Sequence, residues 1–380
     1  MSILKPYPPS YLAFKFPKPI LHFSTSSSLL TNPPPLVFSS FHSKDSMPGT
    51  SSSSSALPPL PEDRVVVGCG MACVDYVAVV DAFPVPDEKV RTENVRVLGG
   101  GNCGNALTCA ARLGLKPRII TKVAEDGNGK TILAEFDRDG VDTSYVAISK
   151  EGSSMFSFVI VDDQTKTRID FAVAGEAAQM NIPIVIDAER VIPGLDDLLH
   201  LASYVVCAEN FPQAWTAAPS IACALVSLLL QFPRTKFVIV TLGSNGCIML
   251  ERSFSGEDPN MKTKDIENLV GSLKLRIEKT QPTPICISSP IMRLSADGIG
   301  TVNGRLLLGT AETIAPSELV DTTGAGDAFV GAVLYALCAG MSPEKMLPFA
   351  AQVAAASCRE MGARPGLPQR TDPRLAPFLH

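Results

Sequence analysis

One stretch of this chain could move a phosphoryl group. It reads Asp321, Thr322, Thr323, Gly324, Ala325, Gly326, Asp327 and runs into an apolar helical segment, Ala328 to Leu337. Small residues let a backbone turn tightly and approach a ligand closely. A helix N-terminus offers unpaired N–H groups and the positive end of a dipole, so such a turn can cradle a phosphate. A carboxylate beside a phosphate is repelled by it. Asp327 at the same helix start therefore points to proton transfer near the phosphate rather than to holding it. A glycine turn, an anion hole and a placed base together suggest phosphoryl transfer to a hydroxyl. The plainer reading is an Asp that caps a helix after a glycine turn. The histidines are His22, His42, His200 and the terminal His380. That supply argues against a histidine triad or a multi-histidine metal site and leaves a carboxylate as the natural base.

A second stretch, Gly99, Gly100, Gly101, Asn102, Cys103, Gly104, Asn105, Ala106, opens an apolar helical run that ends at Leu113 and Gly114. The two stretches, in this order, resemble the N- and C-terminal signatures of the ribokinase-like (PfkB) carbohydrate kinases, over roughly Val65 to Leu367. The resemblance implies a three-layer α/β/α sandwich with a mostly parallel central sheet and a small β lid. It implies that Asp327 takes the proton from a sugar hydroxyl and that the backbone of Gly324, Ala325, Gly326 and Asp327 forms the anion hole. It places Asp75, Gly100, Gly101 and Asn105 on the sugar, and Thr241, Gly243 and Gly246, with Gly324 and Gly326, on ATP. It sets Asp321 and Thr323 beside a monovalent cation such as K+. Family members often carry an Asn-x-x-Glu motif that organises Mg2+ through water. Here Val206-Cys207-Ala208-Glu209-Asn210 has the residue types at the wrong spacing, which leaves Glu209 as a candidate only. The helix Phe349 to Cys358 would flank the adenine, with Ala351 where many members have Asn.

The elements that must position these residues follow from periodicity. Val65 to Val67, ending at Gly68, reads as a buried parallel strand. Asn105–Leu113 and Gly129–Asp139 read as helices, and Arg118–Val123, Ile184–Ile186, Tyr204–Cys207 and Phe237–Thr241 as strands. Strands alternating with helices imply a parallel sheet with helices on both faces, and ligands at the carboxyl ends of its strands. The lid is expected from about 81–98 and 153–171, the latter as a hairpin around Asp162-Asp163-Gln164. Two departures from the family stand out. Between the hairpin and Ile184 the family usually has one more strand–helix–strand stretch, so a deletion is expected near 172–182. Residues 253–290 are polar without clear periodicity and read as a surface insertion.

Other matches weigh less. Gly99-x-Gly101-x-x-Gly104 fits a dinucleotide fingerprint, with Glu125 or Asp126 about 20 residues on, but Lys89 to Val97 does not look like a buried first strand. Ala124 to Thr131 falls one glycine short of a P-loop and carries acidic residues inside the turn, so a surface turn before a helix fits it better. Thr241-Leu242-Gly243-x-x-Gly246 also reads plainly as a turn into a hairpin.

Lys and Arg total 33 and Asp and Glu 38, for a net charge of −5, which argues against a nucleic-acid surface. The 10 cysteines form no C-x-x-C pair and fit reduced, buried thiols. Residues 1–61 are rich in Ser and Pro, have no Arg and no acidic residue before Asp45, and cannot bury a core. They fit a disordered transit peptide and linker, tilted towards the chloroplast as in a plant-type family member, against a plain tail as the alternative. Met47 offers an internal start for a cytosolic form. No apolar run is long enough to span a bilayer. The kinase domain is expected over 62–372. The expected function is ATP-dependent phosphorylation of a hydroxyl on a sugar, nucleoside or similar molecule, with ATP, Mg2+ and K+, and a homodimer through the lid. A catalytically weak or inactive plastid binding or scaffold protein is the alternative.

Overall fold

The computed structural model describes residues 60, 65–78, 95–158, 178–179, 181–254, 261–277 and 282–379. The N-terminal segment, the lid residues 81–94 and 159–171 and most of 172–182 lie outside the described residues. In chain order the strands are β1 (Val65–Cys69), β2 (Cys73–Ala78), β3 (Val95–Gly100), β4 (Lys116–Ala124), β5 (Asp142–Ser149), β6 (Phe156–Phe158), β7 (Val185–Ala188), β8 (Tyr204–Ala208), β9 (Phe237–Thr241), β10 (Cys247–Arg252), β11 (Thr263–Asp265), β12 (Cys286–Ser288), β13 (Met292–Ala296) and β14 (Gly300–Gly309). The helices used below are α1 (Asn102–Arg112), α2 (Gly127–Asp139), α3 (Leu195–Leu201), α4 (Phe211–Thr216), α5 (Ile221–Gln231), α6 (Ile266–Lys274), α7 (Ala325–Ala339) and α8 (Pro343–Ser357).

The strands form three sheets. An eight-stranded sheet runs β11-β13-β14-β10-β9-β8-β7, with β12 also paired to β14. It is parallel from β7 through β8 to β9 and antiparallel from β9 through β10 and β14 to β13. A parallel three-stranded sheet runs β1-β4-β5. A small sheet runs β3-β2-β6, with β2 antiparallel to β3 and parallel to β6.

Side-chain alternation explains the layers. Successive strand residues point to opposite faces. In β9 and β10, Val238, Val240, Ile248 and Leu250 bury against α3, α5 and α6. Phe237, Ile239, Cys247 and Met249 bury on the other face against α1, α7 and α8. The strands Tyr204–Ala208 and Phe237–Thr241 are nearly continuous apolar runs because both faces are covered. The result is the α/β sandwich expected from the sequence.

Two readings need correction. Strand β1 is parallel to β4, but it is not buried: Val65 and Val67 are exposed, since among the described residues no helix covers that face. The segment 253–290 is not simply a surface insertion. It contains β11, α6 and β12, and α6 buries Ile266, Leu269, Val270 and Leu273, an i, i+3, i+4, i+7 stripe. Asp265 caps α6 by accepting from the Asn268 amide at 2.9 Å. The large sheet also carries antiparallel pairs from β9 through β10 and β14 to β13, and Leu242 to Gly246 is the turn into a hairpin that its glycines suggested, between β9 and β10.

Candidate active site

The glycine turn at 324 is shaped by close approach. Gly324 has φ 73°, and a Cβ there would overlap Ala363, so only glycine fits both the left-handed backbone and the space. Helix α7 starts at Ala325 with no side-chain cap. The Ala325 amide donates to the Thr322 carbonyl at 3.2 Å, and the amides that follow it in the first turn are left to present to a ligand. A Cβ on Gly326 would meet nothing within 4 Å, so this position faces open space that an anion could fill. Asp321 fastens the turn from below. Its carboxylate accepts from the Thr323 amide at 2.9 Å, the Thr323 hydroxyl at 2.7 Å and the Gly362 amide at 2.8 Å. Burial alone would raise its pKa, but these donors outweigh it and hold the carboxyl below the usual range.

Helix α7 packs against α1, and Gly331 sets the spacing: a Cβ there would lie 2.6 Å from the Ala106 carbonyl and from Cys109 Cβ. This close crossing brings the Asn105 Nδ2 to 2.8 Å from Asp327 Oδ2. The Cys109 thiol donates to the Ala328 carbonyl at 3.4 Å and ties the same two turns together. Asp327 is half-buried yet lies deep among protein atoms. Burial pushes its pKa up to about 8; the Asn105 donor opposes the rise, and the charges of Asp187, Glu189 and Asp75 add to it.

The residues expected on the sugar side approach the same place from another element. Asp75 lies in β2, 8% exposed, and burial raises its carboxyl despite the Cys73 hydrogen bond at 3.3 Å and the nearby Arg364 charge. The Cys73 thiol is pushed up to about 12 by burial and by Asp75, which makes it a donor and not a nucleophile. Gly100 sits against Asp75, and any Cβ there would overlap the carboxylate. Gly101 has φ 87° and precedes α1 at its N-terminus.

Of the residues assigned to ATP, Thr241 ends β9 and donates its hydroxyl to the Cys207 carbonyl at 3.2 Å. Gly243 and Gly246 have φ 56° and 84° and form the hairpin turn that follows. They lie at the carboxyl end of the parallel strands, where Ala208 pairs with Thr241 and Ala188 with Cys207. Glu209 is exposed just past β8, and Asn210 begins α4.

Asp187 and Glu189, at the end of β7, were not singled out from the sequence, yet they act on Asp327 electrostatically where Glu209 does not stand out. Asp187 reaches solvent, and surrounding protein together with the Glu189 charge raises its carboxyl above the usual range. Glu189 accepts from the Asn102 side chain at 3.1 Å, which links β7 to the start of α1. The signal that could have found them is an Asp-x-Glu at the carboxyl end of an apolar strand, where α/β sheets bind ligands. Arg364 was also missed, and nothing local announces it.

The chain has relatives among known proteins. A family model, pfkB family carbohydrate kinase, matches residues 63–183 and 263–370. The chain belongs to the pfkB carbohydrate kinase family. Mouse ketohexokinase is 25% identical over 317 residues, which span 79% of this chain and 98% of that protein. Haemophilus influenzae ribokinase is 24% identical, over 80% of this chain and 95% of the relative. The structure of Arabidopsis thaliana ribokinase complexed with ribose and ATP superposes with a TM-score of 0.55 at 20% identity, covering 83% of this chain and 98% of that one, a likeness of fold. Within this pfkB-family chain the family model resumes at residue 263, so β11 and α6 belong to the matched region.

Proposed function

We propose that the chain catalyses ATP-dependent phosphorylation of a hydroxyl on a sugar or sugar-like small molecule, nucleosides included. The observation that carries this reading is Asp327 in the first turn of α7, hydrogen-bonded to Asn105 and facing the Asp75 side of the site. In this reading Asp75, Gly100, Gly101 and Asn105 hold the acceptor hydroxyls. Asp327 accepts the proton as the hydroxyl attacks the γ-phosphoryl group, and the Asn105 donor favours its ionised form. The amides at Gly324 to Asp327 stabilise charge on the transferring group, an effect of preorganised dipoles. Thr241, Gly243 and Gly246 take the nucleotide side.

ATP carries charge that needs neutralising. Among the described residues no three His, Cys, Asp or Glu side chains form a ready-made metal cage. Mg2+ bound with a nucleotide keeps several waters and needs only one or two carboxylates. Asp187 and Glu189, two like charges near Asp327, fit that requirement better than Glu209. Bound there, Mg2+ would screen the phosphates. Asp321 and Thr323 are the residues for a monovalent cation, since the Asp321 carboxyl stays ionised.

The rest of the proposal concerns the whole chain. Residues 1–61 act as a chloroplast transit peptide, with Met47 as a start for a cytosolic form. Recovering mature protein only from the cytosol with Met1 to Lys44 intact would remove that part. A lid-mediated homodimer draws on Val95, Val97 and Phe156, which are exposed on the small sheet. A deletion near 172–182 gives the rival reading, a weak or inactive binding protein. What favours it is that β1 and β7 end their sheets unpaired on one side among the described residues. ADP release measured with pentoses, hexoses and nucleosides separates the two. Acceptor-dependent turnover on one class supports the kinase, whereas ATP binding without turnover on any of them supports the rival.

A further inference from the structure

We propose that Arg364 is a positioning residue that fixes the Asn105 amide in the orientation that serves Asp327. This rests on the reading of Asp327 as the base. Arg364 is 3% exposed. Its Nε donates to Asn105 Oδ1 at 2.8 Å, one Nη to the Gly100 carbonyl at 2.9 Å and the other to Glu135 at 3.2 Å. Its guanidinium lies 4.9 Å over the Phe136 ring. The partners of its side chain belong to the glycine run, to α1 and to α2, which together form the acceptor side of the site.

The chemistry of the fork decides what this does. Arginine only donates, so the oxygen of the Asn105 amide must face Arg364. The amide nitrogen then has one place to go, and it donates to Asp327 Oδ2. Were the amide free to turn over, its oxygen would face the Asp327 carboxylate, repelling the ionised form. The groups around this chain of contacts are Asp75 and Cys73 from β2, Glu135 and Asp139 from α2, Asp187 and Glu189 from β7 and Cys109 and Arg112 from α1. Arg364 is the cation that acts on Asp75 and Cys73.

Two further observations show that the site is built around this side chain. A Cβ at Gly104 would lie 2.6 Å from Arg364 Nη2, and one at Gly99 would overlap its guanidinium and Glu135. The glycines of the first motif therefore leave room for an arginine as well as for a sugar. The backbone that carries Arg364 is also clamped to the phosphoryl side. The Gly362 amide donates to Asp321, Ala363 packs on Gly324, and Arg112 donates to the Arg364 carbonyl at 2.7 Å. One loop thus sets both the anion turn and the base's hydrogen-bond partner.

The test uses the full-length protein and the acceptor that it turns over fastest in the panel above. Arg364→Lys keeps the charge but not the fork, which is not a conservative change at such a site. It should lower kcat about a hundredfold, as misplacement of a catalytic group does, with KM for ATP unchanged. Asn105→Ala should do the same, and the double variant should be no worse than Asn105→Ala alone, because Arg364 acts through Asn105. Glu135→Gln, which keeps the guanidinium and its volume, should give a smaller fall in kcat at an unchanged melting temperature. It reads the proposal even if the Arg364 variants fail to fold. Full kcat in Arg364→Lys, unchanged kcat in Glu135→Gln, or losses that add in the double variant would overturn the proposal. Asp327→Asn serves as the control: if it is inactive while Arg364→Lys is fully active, the positioning role fails and the base assignment stands. An active Asp327→Asn removes the base assignment itself.

Discussion

The eight-stranded and three-stranded sheets are built from similar apolar strands, but they are finished differently. The large sheet is covered on both faces, and Val238 and Val240 bury against one helical layer while Phe237 and Ile239 bury against the other. The three-stranded sheet packs one face on α1 and α2 through Ile119, Val123 and Phe136, and leaves Val65 and Val67 of β1 exposed. The large sheet supplies Asp187, Glu189 and Thr241 from its strand ends. Helix α7, which carries Asp327, packs on it. The residues proposed to hold the acceptor come from two places: Asp75 and Gly100 from the small β3-β2-β6 sheet, and Asn105 from α1, which packs on the large sheet. The lesson is that the helix bearing Asp327 rests on a doubly covered frame, whereas Asp75 and Gly100 come from the small β3-β2-β6 sheet, with α1, packed on the large sheet through Ala106 and Cys109, as the joint between them.

That contrast can be broken at several points, the largest effect first. Leu250, fully buried in β10, should cost about 2–5 kcal/mol of unfolding free energy when replaced by Ala, measured by denaturant titration. A cost near zero would show that the large sheet is not the rigid frame. At the joint, Gly331→Val should cost about 1–3 kcal/mol by overpacking. It should also lower kcat, because it pushes Asn105 away from Asp327; full activity in a destabilised variant would uncouple the crossing from the chemistry.

The pH dependence comes next. The Asp327 pKa is raised from 3.8 to about 8 in the folded protein. Between those values the folded state holds a proton that the unfolded state has lost. The contribution of this group to stability is therefore full below the lower value and declines as pH rises towards the upper one. Asp327→Asn should melt progressively higher relative to wild type as pH is taken from 5 to 9. Discounted for partial solvent access, the gain is on the order of 1–2 kcal/mol. A difference that does not change with pH would mean that Asp327 is not perturbed. The smallest effect belongs to the bare face: Val67, 51% exposed, should change stability by less than about 0.5 kcal/mol on replacement by Thr. A loss as large as that of Leu250→Ala would show that something covers that face.

Much of this was legible in the residues because the signals are local. The apolar runs at Tyr204 and Phe237 announced doubly covered strands, and the glycine turn before Asp327 announced a helix start with open amides. Helix α6 was not seen, since its four apolar positions sit between polar flanks and only packing reveals them as one stripe. The exposure of β1 could not be read either, because an apolar strand looks the same whether or not a helix covers it. Arg364 and Asn105 stand 259 positions apart, and only the fold makes them neighbours. Asp187 and Glu189 carried a readable cue in their place at the carboxyl end of a strand.

The central claim is that Asp327 is the base of an acceptor-dependent phosphoryl transfer, and a paired assay of wild type and Asp327→Asn tests it most directly. ADP release and acceptor binding would be measured on both proteins with the same acceptor. The account predicts acceptor-dependent turnover in wild type that falls by a factor of about a hundred or more in Asp327→Asn, with acceptor binding retained. Turnover in Asp327→Asn equal to that of wild type would contradict it.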